Sequence, residues 1–208
     1  MLKKFAFSMI LSTLCFLCLT LDVEAAEKKC QHGYYTFDDF KMGYGVGDYG
    51  KNRRYYYESG FNSTYSNYIS DAVSEWVHTS TEGPHVKTSI SIRKTTNKSL
   101  ALFELVSDNA LGTYVLGETK FYLYQEELPL INGTLTKNYG WSKIYLNVNL
   151  LNTIPAAQRK GTVAHEFGHA MGLSHQDRID SIMCQFGRGR KATRADATDC
   201  NTINHIYG

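Results

Sequence analysis

The run from His165 to His175 constrains this chain more than any other feature of its sequence. It reads HEFGHAMGLSH, an H-E-x-x-H-x-x-G-x-x-H pattern. On a helix, His165 and His169 lie four positions apart, so their rings leave one face about 5–6 Å apart. That separation suits two nitrogens about 2.0–2.1 Å from one Zn²⁺. The run therefore predicts a zinc site on a helix, with Glu166 placed to take a proton from a zinc-bound water.

The end of the run supplies the predicted third ligand. Because glycine accepts positive φ at little cost, Gly172 allows a sharp turn that brings His175 back to the metal. Three histidines leave one exchangeable position, as catalytic zinc sites do. The alternative of three unrelated histidines requires five fixed positions to match by chance. A thermolysin-like site would need a downstream glutamate ligand, and none follows Glu166.

The run resembles the zinc signature of the metzincin metallopeptidases. Members of that family also have a methionine turn beneath the metal. Here Ser181-Ile182-Met183 places a methionine eight residues after His175. The resemblance implies that Met183 is a packing residue under the histidines and is not a ligand. An ordinary core methionine is the alternative.

The end of the chain narrows the resemblance to the matrixins. Residues Asp199–Gly208 are similar to the last helix of matrixin catalytic domains, although Thr198 replaces the first acid of their acidic pair. A generic amphipathic helix is the alternative. In the matrixin arrangement this helix packs near the methionine turn, which suggests a disulfide between Cys184 and Cys200. Two buried thiols are the other interpretation.

Hydrophobic periodicity predicts an α+β domain. Combined with the resemblance, it indicates a metzincin-like catalytic domain with a five-stranded twisted mixed sheet, three helices and the zinc site on the second helix. The resemblance also implies that substrate pairs as an added strand along an edge strand, for which Lys120–Gln125 is the candidate by position. The expected helices are 63–78, 152–171 and 195–207, and the expected strands are 53–58, 86–93, 100–106, 120–125 and 143–148.

Residues 1–25 have the pattern of a signal peptide. Lys3 and Lys4 precede an apolar stretch, Phe5–Leu21, and small residues favour cleavage after Ala25. A short uncleaved anchor is the alternative. Residues 26–50 are expected to be mostly loop, and residues 51–208 to form the catalytic domain. Cleavage would leave a secreted, extracellular protein without membrane association, which we expect to be a monomer.

The motif and the resemblance imply a peptide or protein substrate, and a net charge of only +2 does not indicate binding to nucleic acid. We expect one catalytic Zn²⁺, and the sequence offers no calcium-binding pattern. The resemblance also implies inhibition by a pro-segment cysteine, but Cys30 lacks that segment's pattern. The predicted function is a zinc-dependent endopeptidase with Glu166 as general base. An exported zinc-containing binding module or effector without peptidase activity is the alternative, and a hydrolase of non-peptide amides would use the same site.

Overall fold

A six-stranded mixed β-sheet organises the computed structural model, which describes residues 33–47 and 51–208. The strand order is β2-β1-β3-β6-β4-β5. The β1–β2, β1–β3 and β3–β6 pairs are parallel, whereas β4 is antiparallel to β6 and β5. The strands are β1 (Arg53–Tyr57), β2 (Ile92–Lys94), β3 (Phe103–Ser107), β4 (Gly117–Leu123), β5 (Glu126–Leu128) and β6 (Trp141–Leu146).

The predicted α+β class and mixed sheet are confirmed, but the predicted count of five strands is wrong. The sixth strand arises because the chain leaves β4 through a tight turn and returns beside it as β5. Tyr124 lies in this turn with a φ of 57°, in the left-handed region. The expected strand 120–125 therefore spans the end of β4 and the turn.

Four α-helices accompany the sheet in the described residues. They are α1 (Ser66–Val77), α2 (Val148–Leu151), α3 (Ala156–Ala170) and α4 (Ala197–Tyr207). The histidine motif lies on α3 and not on the second helix as predicted, because the short helix α2 precedes it in the chain. Asn147 stabilises that extra helix by accepting a hydrogen bond from the Leu150 amide at 3.1 Å. None of the described helices is both long and apolar enough to cross a membrane.

The pairing of α1 with α3 buries the helix that carries the motif. The periodic apolar face of α1 is buried, including Ile69 and Trp76. Trp76 Nε1 donates a hydrogen bond to the Ala164 carbonyl of α3 at 2.9 Å. Residues 161–170 of α3 are all buried. This burial fixes the side chains of the motif within the core and not on a solvent-facing helix surface.

The far end of α3 is held by α4 and by residues 33–47. Tyr207 Oη donates to the Met171 carbonyl at 2.9 Å. The Ser174 amide donates to the Tyr35 carbonyl at 3.0 Å. Both contacts lie next to the turn that follows α3. The segment upstream of the first strand thus packs against the region of the histidine motif.

Candidate metal centre and active-site cleft

Three histidine side chains converge at the end of α3. His169 Nε2 lies 3.0 Å from Nε2 of both His165 and His175. One potential ligand atom from each residue lies within 4.8 Å of the others. Gly172 has a φ of 103°, so the sharp turn predicted there is confirmed. The turn brings His175 back towards the two helical histidines.

The hydrogen bonds of the imidazole rings show which nitrogens face one another. His165 Nδ1 lies 2.7 Å from the Ile182 carbonyl oxygen, and His169 Nδ1 lies 2.7 Å from that of Leu173. A carbonyl can only accept, so each Nδ1 carries the proton and each neutral ring presents a lone pair at Nε2. Two lone pairs 3.0 Å apart cannot form a hydrogen bond with each other. A cation between them resolves the repulsion.

This donor set fits zinc. Nitrogens about 2.0–2.1 Å from a tetrahedral ion are separated by roughly 3.3 Å. Burial, reinforced by the neighbouring imidazole of His175, lowers the pKa of His169 to about 3. Burial and the positive charges of nearby arginines lower the pKa of His175 to about 4. Burial also lowers the pKa of His165 well below its ordinary value. All three rings are therefore neutral and available as ligands at physiological pH.

Met183 lies directly beneath the motif helix. Its side chain is fully buried. A Cβ atom added to Gly168 would collide with Met183 Sδ and lie 3.2 Å from its Cε. The methionine therefore packs against α3 between the two helical histidines of the motif, where the absence of a side chain at Gly168 leaves room for it.

Asp199 connects the terminal helix to the metal centre. The side chain is only 1% exposed. It accepts hydrogen bonds from Ser181 Oγ at 2.6 Å, Gln176 Nε2 at 3.0 Å and the Ile182 amide at 3.1 Å. Burial and the charge of Asp196 raise the pKa of Asp199 to about 6, and the hydrogen bonds from Ser181 and the Ile182 amide oppose the rise. Because the Ile182 carbonyl holds His165, the acid supports the orientation of that ring through one residue.

Glu166 faces the cleft from α3 and is held by the sheet. Thr119 Oγ1, on β4, lies 2.8 Å from Glu166 Oε2, to which it donates. A Cβ on Gly117 would lie 2.8 Å from Glu166 Oε1, so the strand passes very close to the carboxylate. Burial raises the pKa of Glu166 to about 7, against the lowering effect of the Thr119 hydrogen bond. Sequence reasoning missed Thr119, because it lies one position before the expected strand 120–125 and far from the histidine motif along the chain.

A cavity of about 580 Å³ adjoins the three histidines and Glu166. Its wall includes Gln185, Phe186, Gly187 and Arg190. These four residues follow the methionine turn in the sequence. The sequence gives no sign that Arg190 is buried, because Gly187 and Gly189 beside it are typical of a loop.

The free edge of β4 lies earlier in the chain than predicted. β5 pairs with Phe121–Leu123, so the expected edge strand 120–125 is largely covered. Gly117–Lys120 pairs only with β6 among the described strands. Gly117 and Thr119 line the cavity. The open backbone edge therefore runs past the carboxylate of Glu166.

The predicted disulfide between Cys184 and Cys200 is not formed in the structure. Both side chains are buried, but they face different surroundings. Cys184 Sγ lies 3.6 Å from the Gln185 carbonyl oxygen, in the loop after the methionine turn. Cys200 is a thiol on α4 beside Thr79, and burial raises its pKa to about 12. Cys30 lies outside the described residues.

Comparison with known proteins agrees with this geometry. Residues 156–208 match the family model described as Matrixin, a span that covers α3, the three histidines, Met183 and α4. Over these residues the chain is similar to the matrixins. The match to the matrixin-like domain covers the C-terminal quarter of the chain, and the sheet lies outside it.

One solved structure similar to this chain is high choriolytic enzyme 1, a hatching enzyme zinc-protease from Oryzias latipes (medaka fish). The two chains share 15% identity with a TM-score of 0.46, over 78% of this chain and 94% of the other. No curated protein matches this sequence. The family match and the three-histidine group together support a zinc metallopeptidase.

Proposed function

We propose that this protein is a secreted zinc-dependent endopeptidase whose metal is held by His165, His169 and His175. The observation that carries the proposal is the convergence of three neutral Nε2 atoms beside a buried carboxylate. When bound, zinc supplies a Lewis acid that polarises the scissile carbonyl and lowers the pKa of the attacking water to about 7.

Glu166 is the proposed general base. Its pKa of about 7 allows the carboxylate to accept a proton from the attacking water near neutral pH. The same group then donates that proton to the amine that leaves. Thr119 holds one carboxylate oxygen by its hydrogen bond, so the other oxygen is the one that exchanges the proton. Thr119 is therefore a positioning residue in this scheme.

The backbone of Gly117–Lys120 is the proposed substrate-binding edge. An extended peptide could pair with the open side of this segment as an added strand. Such pairing would place the scissile bond next to Glu166, because Gly117 and Thr119 both lie against its side chain. Backbone pairing would give affinity without sequence preference, and side-chain preference would come from the adjacent cavity.

Secretion is proposed from the N-terminal pattern, with residues 1–25 as the signal peptide. Residues 26–50 would form the N-terminal segment and residues 51–208 the catalytic domain. Packing of residues 33–47 around the turn after α3 suggests that the N-terminal segment supports the site.

A metal-removal experiment tests the proposal. The full chain, expressed with its N-terminal segment, would be dialysed against a zinc chelator and offered a diverse peptide library read by mass spectrometry. Activity lost on chelation and restored by equimolar Zn²⁺ is expected. Stoichiometric zinc without cleavage of any peptide would instead favour a zinc-containing binding module.

A further inference from the structure

Arg190 is a buried cation in the wall of the cavity beside the metal centre. Its residue surface is 4% exposed. The residue lines the cavity together with Ile154, Thr162 and Phe186. The ring of Phe186 lies 6.0 Å from its guanidinium carbon. The side chain thus lies between the N-terminal half of α3 and the loop after the methionine turn.

The guanidinium has too few acceptors for its buried position. Its hydrogen bond within the described residues runs from Nη2 to Thr162 Oγ1 at 2.9 Å. Its Nε is buried without a partner. Burial lowers the pKa of Arg190 to about 10, so the group remains charged at neutral pH. A buried charge without a matching carboxylate is costly, and proteins seldom retain one without a compensating contact.

No acid in the described part of the chain forms an ion pair with Arg190. Glu166 is the acid whose charge most strongly favours the cation, but its carboxylate contacts Thr119 instead. By contrast, Arg178 pairs with Asp196. Arg194 also has a buried Nε without a hydrogen bond, but Arg190 is the arginine that lines the cavity.

We propose that Arg190 is a specificity-determining residue that binds the carboxylate of an aspartate or glutamate side chain of the substrate next to the scissile bond. This inference rests on the proposed peptidase function. Arginine presents several N–H donors in a planar fork that matches a carboxylate. A substrate acid in the cavity would supply the acceptors that Arg190 lacks, while Ile154 and Phe186 contact its methylene groups. An uncharged amide of the same shape would leave the buried charge unmatched.

Matched peptides provide the test. After a peptide library has located the cleaved bonds, peptides would be made that differ only in Asp, Glu, Asn, Gln or Leu at the cavity position. For the zinc-loaded full chain, kcat/KM for the acid is expected to exceed that for its amide by about tenfold or more. Arg190→Gln should remove that preference, and Arg190→Lys should retain part of it. Equal rates for acid and amide in the wild type, or a preference for Leu, would overturn the proposal.

A binding measurement separates this inference from the proposed function. Peptides with a reduced scissile amide cannot be hydrolysed, and calorimetry would compare their acid and amide forms on the zinc-loaded protein. Tighter binding of the acid, lost in Arg190→Gln, supports the role of Arg190 even if no peptide is cleaved. Equal binding of the two forms overturns it. Thermal melting would show whether Arg190→Gln folds. If it does not fold, the ratio of the affinities of the wild type for the acid and amide peptides decides the outcome.

Discussion

Asp199 and Ile182 are joined by a hydrogen bond of 3.1 Å that ties the terminal helix to the turn beneath the three histidines. The Ile182 carbonyl in turn accepts from His165 Nδ1. The acid that resembles part of the matrixin tail thus acts at the metal centre through a single residue. Ser181 strengthens the link with its own hydrogen bond to the same carboxylate.

Replacement of this acid should weaken both the fold and the site. Asp199→Asn is expected to reduce the free energy of unfolding by about 2–4 kcal/mol, because an amide turns an N–H₂ group towards buried donors. Thermal or urea unfolding would measure the loss, with Asp180→Asn as the control on an exposed carboxylate of the same loop. Equal stability of the two variants would show that the Asp199 hydrogen bonds do not stabilise the fold.

The hydroxyl of Thr119 should matter for rate and not for metal binding. Thr119→Val keeps the side-chain shape but removes the donor to Glu166. We expect kcat to fall about tenfold, the effect of one hydrogen bond worth roughly 1.4 kcal/mol, with zinc content unchanged. Steady-state kinetics would measure the change, and Thr119→Ser should restore most of the rate. A wild-type kcat in Thr119→Val would show that Thr119 does not position Glu166 for catalysis.

His175 should be essential for tight zinc binding. His175→Ala leaves only two of the converging nitrogens, so zinc affinity is expected to fall by more than about 100-fold. This loss is larger than that usually seen when a residue that only hydrogen-bonds to a metal ligand is replaced. Competition with a chromophoric chelator would measure the affinity. His78→Ala is the matched control, because His78 is exposed and outside the group. Unchanged affinity in His175→Ala would place the third ligand elsewhere.

A side chain at Gly168 should displace Met183. Glycine to alanine within a helix normally stabilises by about 1 kcal/mol. Here the added Cβ would collide with Met183 Sδ, so Gly168→Ala is expected to cost about 1–3 kcal/mol of stability. Chemical denaturation would measure this. Gly187→Ala is the control, since a Cβ there meets nothing within 4 Å. A stabilised Gly168→Ala protein would contradict the tight packing described above.

Features set by local sequence could be predicted well. The apolar repeat of α1 placed that helix within a few residues of its observed bounds, Ser66–Val77. The turn at Gly172 followed from the steric freedom of glycine and the position of His175. The metal centre could also be predicted, because all its candidate ligands lie within one short run of the sequence.

Features that depend on distant segments could not be predicted. In the β4–β5 turn, Tyr124 adopts the left-handed backbone conformation. No glycine or asparagine, the residues that usually indicate such a turn, occurs at this position. The expected strand 86–93 is reduced to Ile92–Lys94, preceded by a loop in which His85 has a φ of 55°. The position of Arg190 depends on how a loop packs against α3, and the hydrophobic periodicity of the sequence does not predict such packing.

A comparison of the wild type with Glu166→Ala tests most directly whether the histidine site is a catalytic zinc site. Both full chains would be purified, their zinc measured by mass spectrometry, and both incubated with the same peptide library. We expect equimolar zinc in both proteins, chelator-sensitive cleavage by the wild type, and a loss of activity of several orders of magnitude in Glu166→Ala. Cleavage by Glu166→Ala at the wild-type rate, or wild-type protein that does not hold zinc, would contradict this expectation.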